Sequence, residues 1–168
     1  MQLAFRGLER LVALIAYVLC ASLVVAMAIM LACIALQMVM RYVFGNAPSW
    51  TEELALLMFA WCTMGGLALG VREGFHVRLD VFIKPLPHTL RRWAEAAINA
   101  ATAAFGAYLA WSGLRFLDVT GGSVSAAIGY PIEILHALAP AAGGLICLFA
   151  IWRLIEGPHS EPAPELAP

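Results

Sequence analysis

The stretch REGFHVRLD, residues 72–80, gathers Arg72, Glu73, His76, Arg78 and Asp80 into nine positions of an otherwise oily chain. His76 and Asp80 stand four apart, the spacing that puts two metal ligands on one helical face. The residues between them argue otherwise. Phe75, Val77, Leu79 and Val81 alternate with His76, Arg78 and Asp80, and a period of two describes an extended or irregular segment. Arg78 would repel a cation held between the two, and no second histidine lies close by. A metal is therefore disfavoured. Two readings stay open: a solvated loop facing lipid headgroups, or a structured loop docked on a partner, with Glu73 and Asp80 paired to Arg72, Arg78 or partner residues.

Glu52 and Glu53, in SWTEELA at 49–55, invite a second chemistry, acid–base work or Na⁺ binding. Neighbouring carboxylates on a helix diverge by about 100°, so they do not share a proton as a dyad does. Acidic residues in a first turn complement the helix dipole, and Trp50 beside them suits a membrane-interface anchor. His136 is the one ionisable residue well inside an apolar run, and such a residue is a functional candidate by default. A bis-histidine haem would need a second histidine at matching depth, yet His76, His88 and His159 fall outside the runs. A hydrogen bond to a neighbouring helix or subunit is the expected role. Cys20, Cys33, Cys62 and Cys147 lie in apolar segments without a CxxC pair and read as buried small hydrophobes. No catalytic residue, metal ligand or cofactor is expected.

The elements that carry these residues follow from composition. The 168 residues are 62% hydrophobic and 12% charged, with a mean hydropathy of +0.85, too apolar for a soluble globular domain, where about 45–50% apolar is usual. A net charge of −1 leaves no nucleic-acid footprint. Four uncharged runs stand out, Leu11–Met40, Leu54–Val71, Ala96–Leu114 and Ile134–Trp152. The fold class expected is an all-α integral membrane protein with four transmembrane helices in one domain, residues 1–156. The first run is too long for the apolar region of a cleaved signal peptide, about 7–15 residues.

Orientation comes from the basic residues. With a cytoplasmic N-terminus, Arg6, Arg10, Arg72, Arg78, Lys84, Arg91, Arg92 and Arg153 share the cytoplasmic side, against Arg41 and Arg115 outside. That asymmetry predicts cytoplasmic N- and C-termini. Residues 3–12 suit a short interfacial helix or the frayed end of the first span. Ser49 and Glu52 form a capping-box pattern for the second span, and Gly74 is its expected stop. Pro131 and Glu133 suit the first turn of the fourth span, and Pro140 should kink it. The tail from Gly157, GPHSEPAPELAP, is Pro-rich and reads as disordered. Gly66 and Gly70 in GxxxG spacing, the alanines of the third run, and Ala141, Ala142, Gly143 and Gly144 mark faces for close helix packing. Intramembrane charge and internal repeats, which a self-sufficient carrier usually needs, are both missing from the sequence.

RYVFGNAPSWTEELA at 41–55, GGLALGVREGFHVRLDVF at 65–82, LP at 86–87 and SAAIGYPIEILHALAP at 125–140, in this order and with one span between the two central motifs, resemble the small membrane subunit (DctQ type) of tripartite ATP-independent periplasmic (TRAP) transporters. The resemblance runs from about Arg6 to Ile155, with one departure: His136 stands where an aromatic is frequent. It implies a non-enzymatic scaffold subunit of a sodium-driven, binding-protein-dependent secondary transporter for organic acids in the bacterial inner membrane. The implied partners are a large multi-span membrane transport subunit, a periplasmic substrate-binding protein and the lipid bilayer. Trp50, Glu52, Glu53, Arg72, Glu73, His76, Arg78, Asp80 and Pro140 are the subunit-interface or signature candidates. The alternative is a stand-alone homo-oligomeric small channel or carrier. The membrane anchor of a redox enzyme is a third class, disfavoured by the placement of the histidines.

Overall fold

A computed structural model of the chain describes residues 2–74 and 88–156. They are helical almost throughout: α1 (Gln2–Val43), α2 (Ser49–Glu73), α3 (His88–Thr120), a single turn α4 (Glu133–His136) and α5 (Leu138–Glu156). Among them, three helical stretches are both long and apolar enough to cross a bilayer: Arg6–Val43, Ser49–Glu73 and Glu133–Ile155. The third expected span lies within α3. Its 33 residues reach about 50 Å, but alanine fills much of it, with Asn99, Thr102 and Ser112 between. Its apolarity is correspondingly lower.

Residues 2–12 do not form a separate interfacial helix. They are the opening turns of α1, whose 42 residues give it about 63 Å, twice the hydrocarbon thickness of about 30 Å. Arg6 to Leu11 are exposed, whereas Val12, Ala16 and Leu19 are buried against the bundle. Helix α2 begins after Pro48, and no side chain caps it. The expected Ser49–Glu52 capping box is absent because Ser49 is already helical; Thr51 donates to the Pro48 carbonyl instead, at 2.7 Å. Gly74 does end α2, with φ +78°, a conformation that costs glycine little and other residues more.

The helices pack in the spatial order α1, α2, α5, α3. Helix α5 runs parallel to α2, because Arg153 near its end reaches the Val71 carbonyl at 3.2 Å. Helices α1 and α3 run antiparallel to them. A core cluster of Val12, Ala16 and Leu19 from α1, Ala68 and Val71 from α2, and Ile146, Phe149, Ala150 and Trp152 from α5 joins three helices near one end. Between α1 and α2, the Trp61 indole donates to Ser22 Oγ at 3.1 Å, and Ser22 in turn donates to the Leu19 carbonyl at 2.7 Å. Such interhelical bonds contribute about 0.6 kcal/mol on average in a membrane.

The α3–α5 contact is tighter. A Cβ placed on Gly143 would stand 2.5 Å from the Ala110 nitrogen and 2.8 Å from the Gly106 oxygen, and one on Gly113 would meet Pro140 Cδ at 2.6 Å. Backbone lies on backbone here. Pro140 also interrupts the last span, as expected: α4 stops at His136 and α5 begins at Leu138. A proline ring crowds the carbonyl four residues earlier, here that of His136.

Candidate functional site

The densest polar cluster among the described residues lies at the end of the bundle where α2 begins and α3 ends. After Thr120 the chain turns at Gly121-Gly122 and forms a short hairpin. Val124 and Pro131 make an antiparallel bridge, the Ser125 amide donates to the Tyr130 carbonyl and the Ile132 amide to the Ser123 carbonyl, both at 2.9 Å. A hairpin tip points several backbone amides in one direction, and these need acceptors.

Glu53 supplies them. Its Oε2 accepts from Ser125 Oγ at 2.7 Å and from the Ile128 amide at 3.0 Å, and its Oε1 accepts from the Ala127 amide at 2.8 Å. Ser125 Oγ accepts in turn from the Gly129 amide at 3.0 Å. Gly129 has φ +76°, the left-handed conformation that closes the tip. Ser125 is only 8% exposed, so its hydroxyl has little water to exchange for the carboxylate. Charge-assisted bonds of this kind are roughly twice as strong as neutral ones. One carboxylate thus fastens the start of α2 to a loop 72 to 75 residues away.

Two further bonds close the same end. Glu133 Oε1 accepts from the Gly122 amide at 2.6 Å. Its other oxygen is buried and has no partner among the described residues. Thr120 Oγ1 and His136 Nδ1 lie 2.9 Å apart. Thr120 Oγ1 also lies 2.9 Å from the Phe116 carbonyl, so its one hydroxyl proton serves either that carbonyl or, with the other histidine tautomer, Nδ1. The Phe116 ring meets the imidazole edge-on, with centroids 4.6 Å apart. The expected hydrogen bond between His136 and a neighbouring helix is present, with Thr120 of α3.

The remaining sequence candidates are scattered. Trp50 is 44% exposed on the first turn of α2, with Glu52 exposed beside it. Arg72 is half-buried and Glu73 exposed at the opposite end of that helix. Pro140 faces Gly113. His76, Arg78 and Asp80 lie outside the described residues, as does the tail from Gly157. The structure therefore brings Glu53 together with the 125–129 loop and places Arg72 and Glu73 about the length of α2 away. Sequence reasoning missed Ser125 as the partner of Glu53 and Arg153 as the residue that reaches the end of α2. The run GGSVSAAIGYP, rich in small residues, signals a tight loop, but nothing local names its acceptor.

Chemically, this arrangement is suited to holding a loop in place. The Glu53 carboxylate is occupied by three donors, and among the described residues no group of three His, Cys, Asp or Glu side chains is placed to hold a metal ion. Long apolar helices, fastened at one end by carboxylate-to-amide bonds, define an integral membrane component. Residues 30–157 match the family of tripartite ATP-independent periplasmic transporters, DctQ component, and the chain belongs to that family, as a multi-pass protein of the inner membrane. It is 30% identical over 120 residues to the C4-dicarboxylate TRAP transporter small permease protein DctQ of Rhodobacter capsulatus, a match covering 67% of this chain and 53% of that protein. To the protein of the same description from Vibrio cholerae it is 35% identical over 71 residues, 42% of this chain and 31% of the relative. The chain thus spans about half or less of these two relatives. The sialic acid TRAP transporter permease protein SiaT of Haemophilus influenzae matches at 32% over 63 residues, 38% of this chain but only 10% of that protein. The family is one of transporter components, not of enzymes.

Proposed function

We propose that this chain is the non-catalytic small subunit of a sodium-driven, binding-protein-dependent transporter for organic acids, and that it holds a large transport subunit in place in the membrane. The observation that carries the reading is how little of its spans the chain covers by itself. Only 17%, 17% and 28% of the most apolar windows of Arg6–Val43, Ser49–Glu73 and Glu133–Ile155 are buried, which leaves long apolar faces for lipid and for other helices. Because small residues and van der Waals fit drive association in lipid, such faces suit a packing role. The occurrence of a similar stretch as a tenth of a much longer permease polypeptide supports a large membrane partner. Relatives named for C4-dicarboxylate and sialic acid support an organic-acid substrate.

In this reading α3 also crosses the membrane, as the third of four spans in chain order. It lies antiparallel along α5 from Gly106 opposite Cys147 to Gly113 opposite Pro140, through the depth that the other helices occupy. Four crossings put both termini on one side, and the excess of Arg and Lys there makes that side cytoplasmic, with Arg72, Glu73, His76, Arg78 and Asp80 at the cytoplasmic connection between the second and third spans. Trp50, Glu52 and Glu53 then face the periplasm, where the binding protein would dock.

Purification of the tagged chain from its native membranes in mild detergent tests the proposal. A co-purifying polytopic protein much larger than 18.1 kDa, together with uptake that requires a sodium gradient, is the expected result. A chain that emerges alone, or only with copies of itself, and conducts or transports in liposomes would replace the scaffold with a stand-alone channel or carrier.

A further inference from the structure

Helix α3 has two unlike faces. Gly106 and Gly113 meet α5; at 100° per residue, Tyr108, Trp111 and Arg115 stand on the opposite side, within about 60° of one another. All three are exposed, Tyr108 at 63% and Trp111 at 57%. The rings of Tyr108 and Trp111 lie 6.0 Å apart, and the Arg115 guanidinium sits 5.7 Å from the centroid of the Trp111 ring. A guanidinium within about 6 Å of an indole centroid is attracted to the ring face, and its N–H groups remain available as donors.

Arg115 ends the uncharged run Ala96–Leu114 and lies five residues, about 7.5 Å along the axis, before Thr120, where the polar cluster of the hairpin begins. That is the depth of a headgroup layer, where Trp and Tyr collect and arginine side chains snorkel. Asp118 follows within one turn, yet the only ion pair within 4.0 Å among the described residues is Arg91–Glu95. Among the described residues, the Arg115 charge therefore has no carboxylate within 4.0 Å. A cation beside two aromatic rings on an apolar face is well placed to meet an anion at the level of the headgroups.

We propose that Tyr108, Trp111 and Arg115 form a binding site for the phosphate of an outer-leaflet phospholipid, with the guanidinium donating to phosphate oxygens and the indole lying against the glycerol and upper acyl chain. The site rests on the reading of α3 as a span, and two measurements separate them. In a variant that keeps Trp111 and replaces Trp50, Trp61, Trp93 and Trp152 by Phe, reconstituted in vesicles of lipid brominated near the carbonyl end of its acyl chains, fluorescence of Trp111 is expected to be strongly quenched. Unquenched fluorescence would place Trp111 outside the bilayer and remove both span and site. Native mass spectrometry of the complex released from the same lipid without bromine reads the site itself. Wild type is expected to retain a phospholipid that Arg115→Gln loses about tenfold more readily, the scale of a charge-assisted bond, while Arg115→Lys retains it in part. Quenching with equal lipid retention in wild type and Arg115→Gln would overturn the site alone. Unchanged lipid retention with loss of a co-purifying membrane protein in Arg115→Gln would assign the anion to a protein carboxylate and overturn the lipid site as well.

Discussion

The two helix pairs of this bundle solve one packing problem by different means. Helices α1 and α2 meet through side chains: Leu19 and Leu23 cover Gly65, Trp61 donates to Ser22, and Cys62 donates weakly to the Leu23 carbonyl at 3.7 Å. Helices α3 and α5 meet through backbone, Gly106 against Cys147 and Gly143, and Gly143 against Ala110. Without a hydrophobic force between helices in lipid, either close backbone approach or interhelical polar contact must supply the attraction. The side-chain joint can adjust by turning rotamers. The backbone joint cannot.

Gly143→Ala is the sharpest way to break that contrast. Its new methyl would stand 2.5 Å from the Ala110 nitrogen and 3.0 Å from the Ala110 Cα, neither of which can move without separating the helices. A loss of about 3 kcal/mol, the upper range for overpacking, is expected in denaturant titration of the purified protein in detergent. Gly144→Ala, with nothing within 4 Å of the added carbon, is the control. Equal stabilities for the two variants would show that α3 and α5 are not in backbone contact.

The clamp at the hairpin is next in effect, and it is local. Glu53→Ala leaves the Ser125 hydroxyl and the amides of Ala127 and Ile128 without their acceptor. The loop is at a helix end that water reaches, so water substitutes in part. Hydrogen exchange at Ala127 and Ile128 is expected to accelerate on the order of tenfold or more, with the α3–α5 amides unchanged. Glu53→Gln retains one carbonyl acceptor and should fall between. Unchanged exchange in Glu53→Ala would mean that the hairpin holds itself.

How much of this was legible in the sequence depends on the range of the interaction. Apolar run length located the three helices long and apolar enough to cross a bilayer, and placed the run Ala96–Leu114 within a helix, α3, because hydropathy is a local sum. Gly74 as a stop and Pro140 as a break were legible for the same reason: each acts within four residues of itself. The Ser49–Glu52 capping box was a plausible local pattern that lost to Pro48, which sets the helix start one residue early. The tie from Glu53 to the 125–128 loop spans more than 70 residues, and no periodicity encodes it. Its acidic neighbour Glu52 shows the same composition and points elsewhere. The tie between Arg153 and the Val71 carbonyl is equally remote.

The glycines make the same point more finely and yield the smallest predicted effects. GxxxG spacing singles out Gly66 and Gly70, but the face that α2 turns to α1 contains Gly65. A Cβ at Gly65 would come within 2.7 Å of Leu23 Cδ2 and 3.3 Å of Leu19 Cδ1, whereas one at Gly66 meets nothing within 4 Å. The obstacles at Gly65 are the far ends of flexible leucines, which can rotate away at modest cost. Gly65→Ala is therefore expected to lose about 1 kcal/mol, the low end of overpacking, well below Gly143→Ala. Gly66→Ala should lie within about 0.5 kcal/mol of wild type, or gain slightly from the better helix propensity of alanine. The same denaturant titration measures both. If Gly66→Ala were the more damaging in the isolated chain, the register between α1 and α2 would be wrong by about one residue. If it were damaging only in the assembled complex, the face through Gly66 would be covered by a partner helix, and the motif would describe the assembly and not the fold.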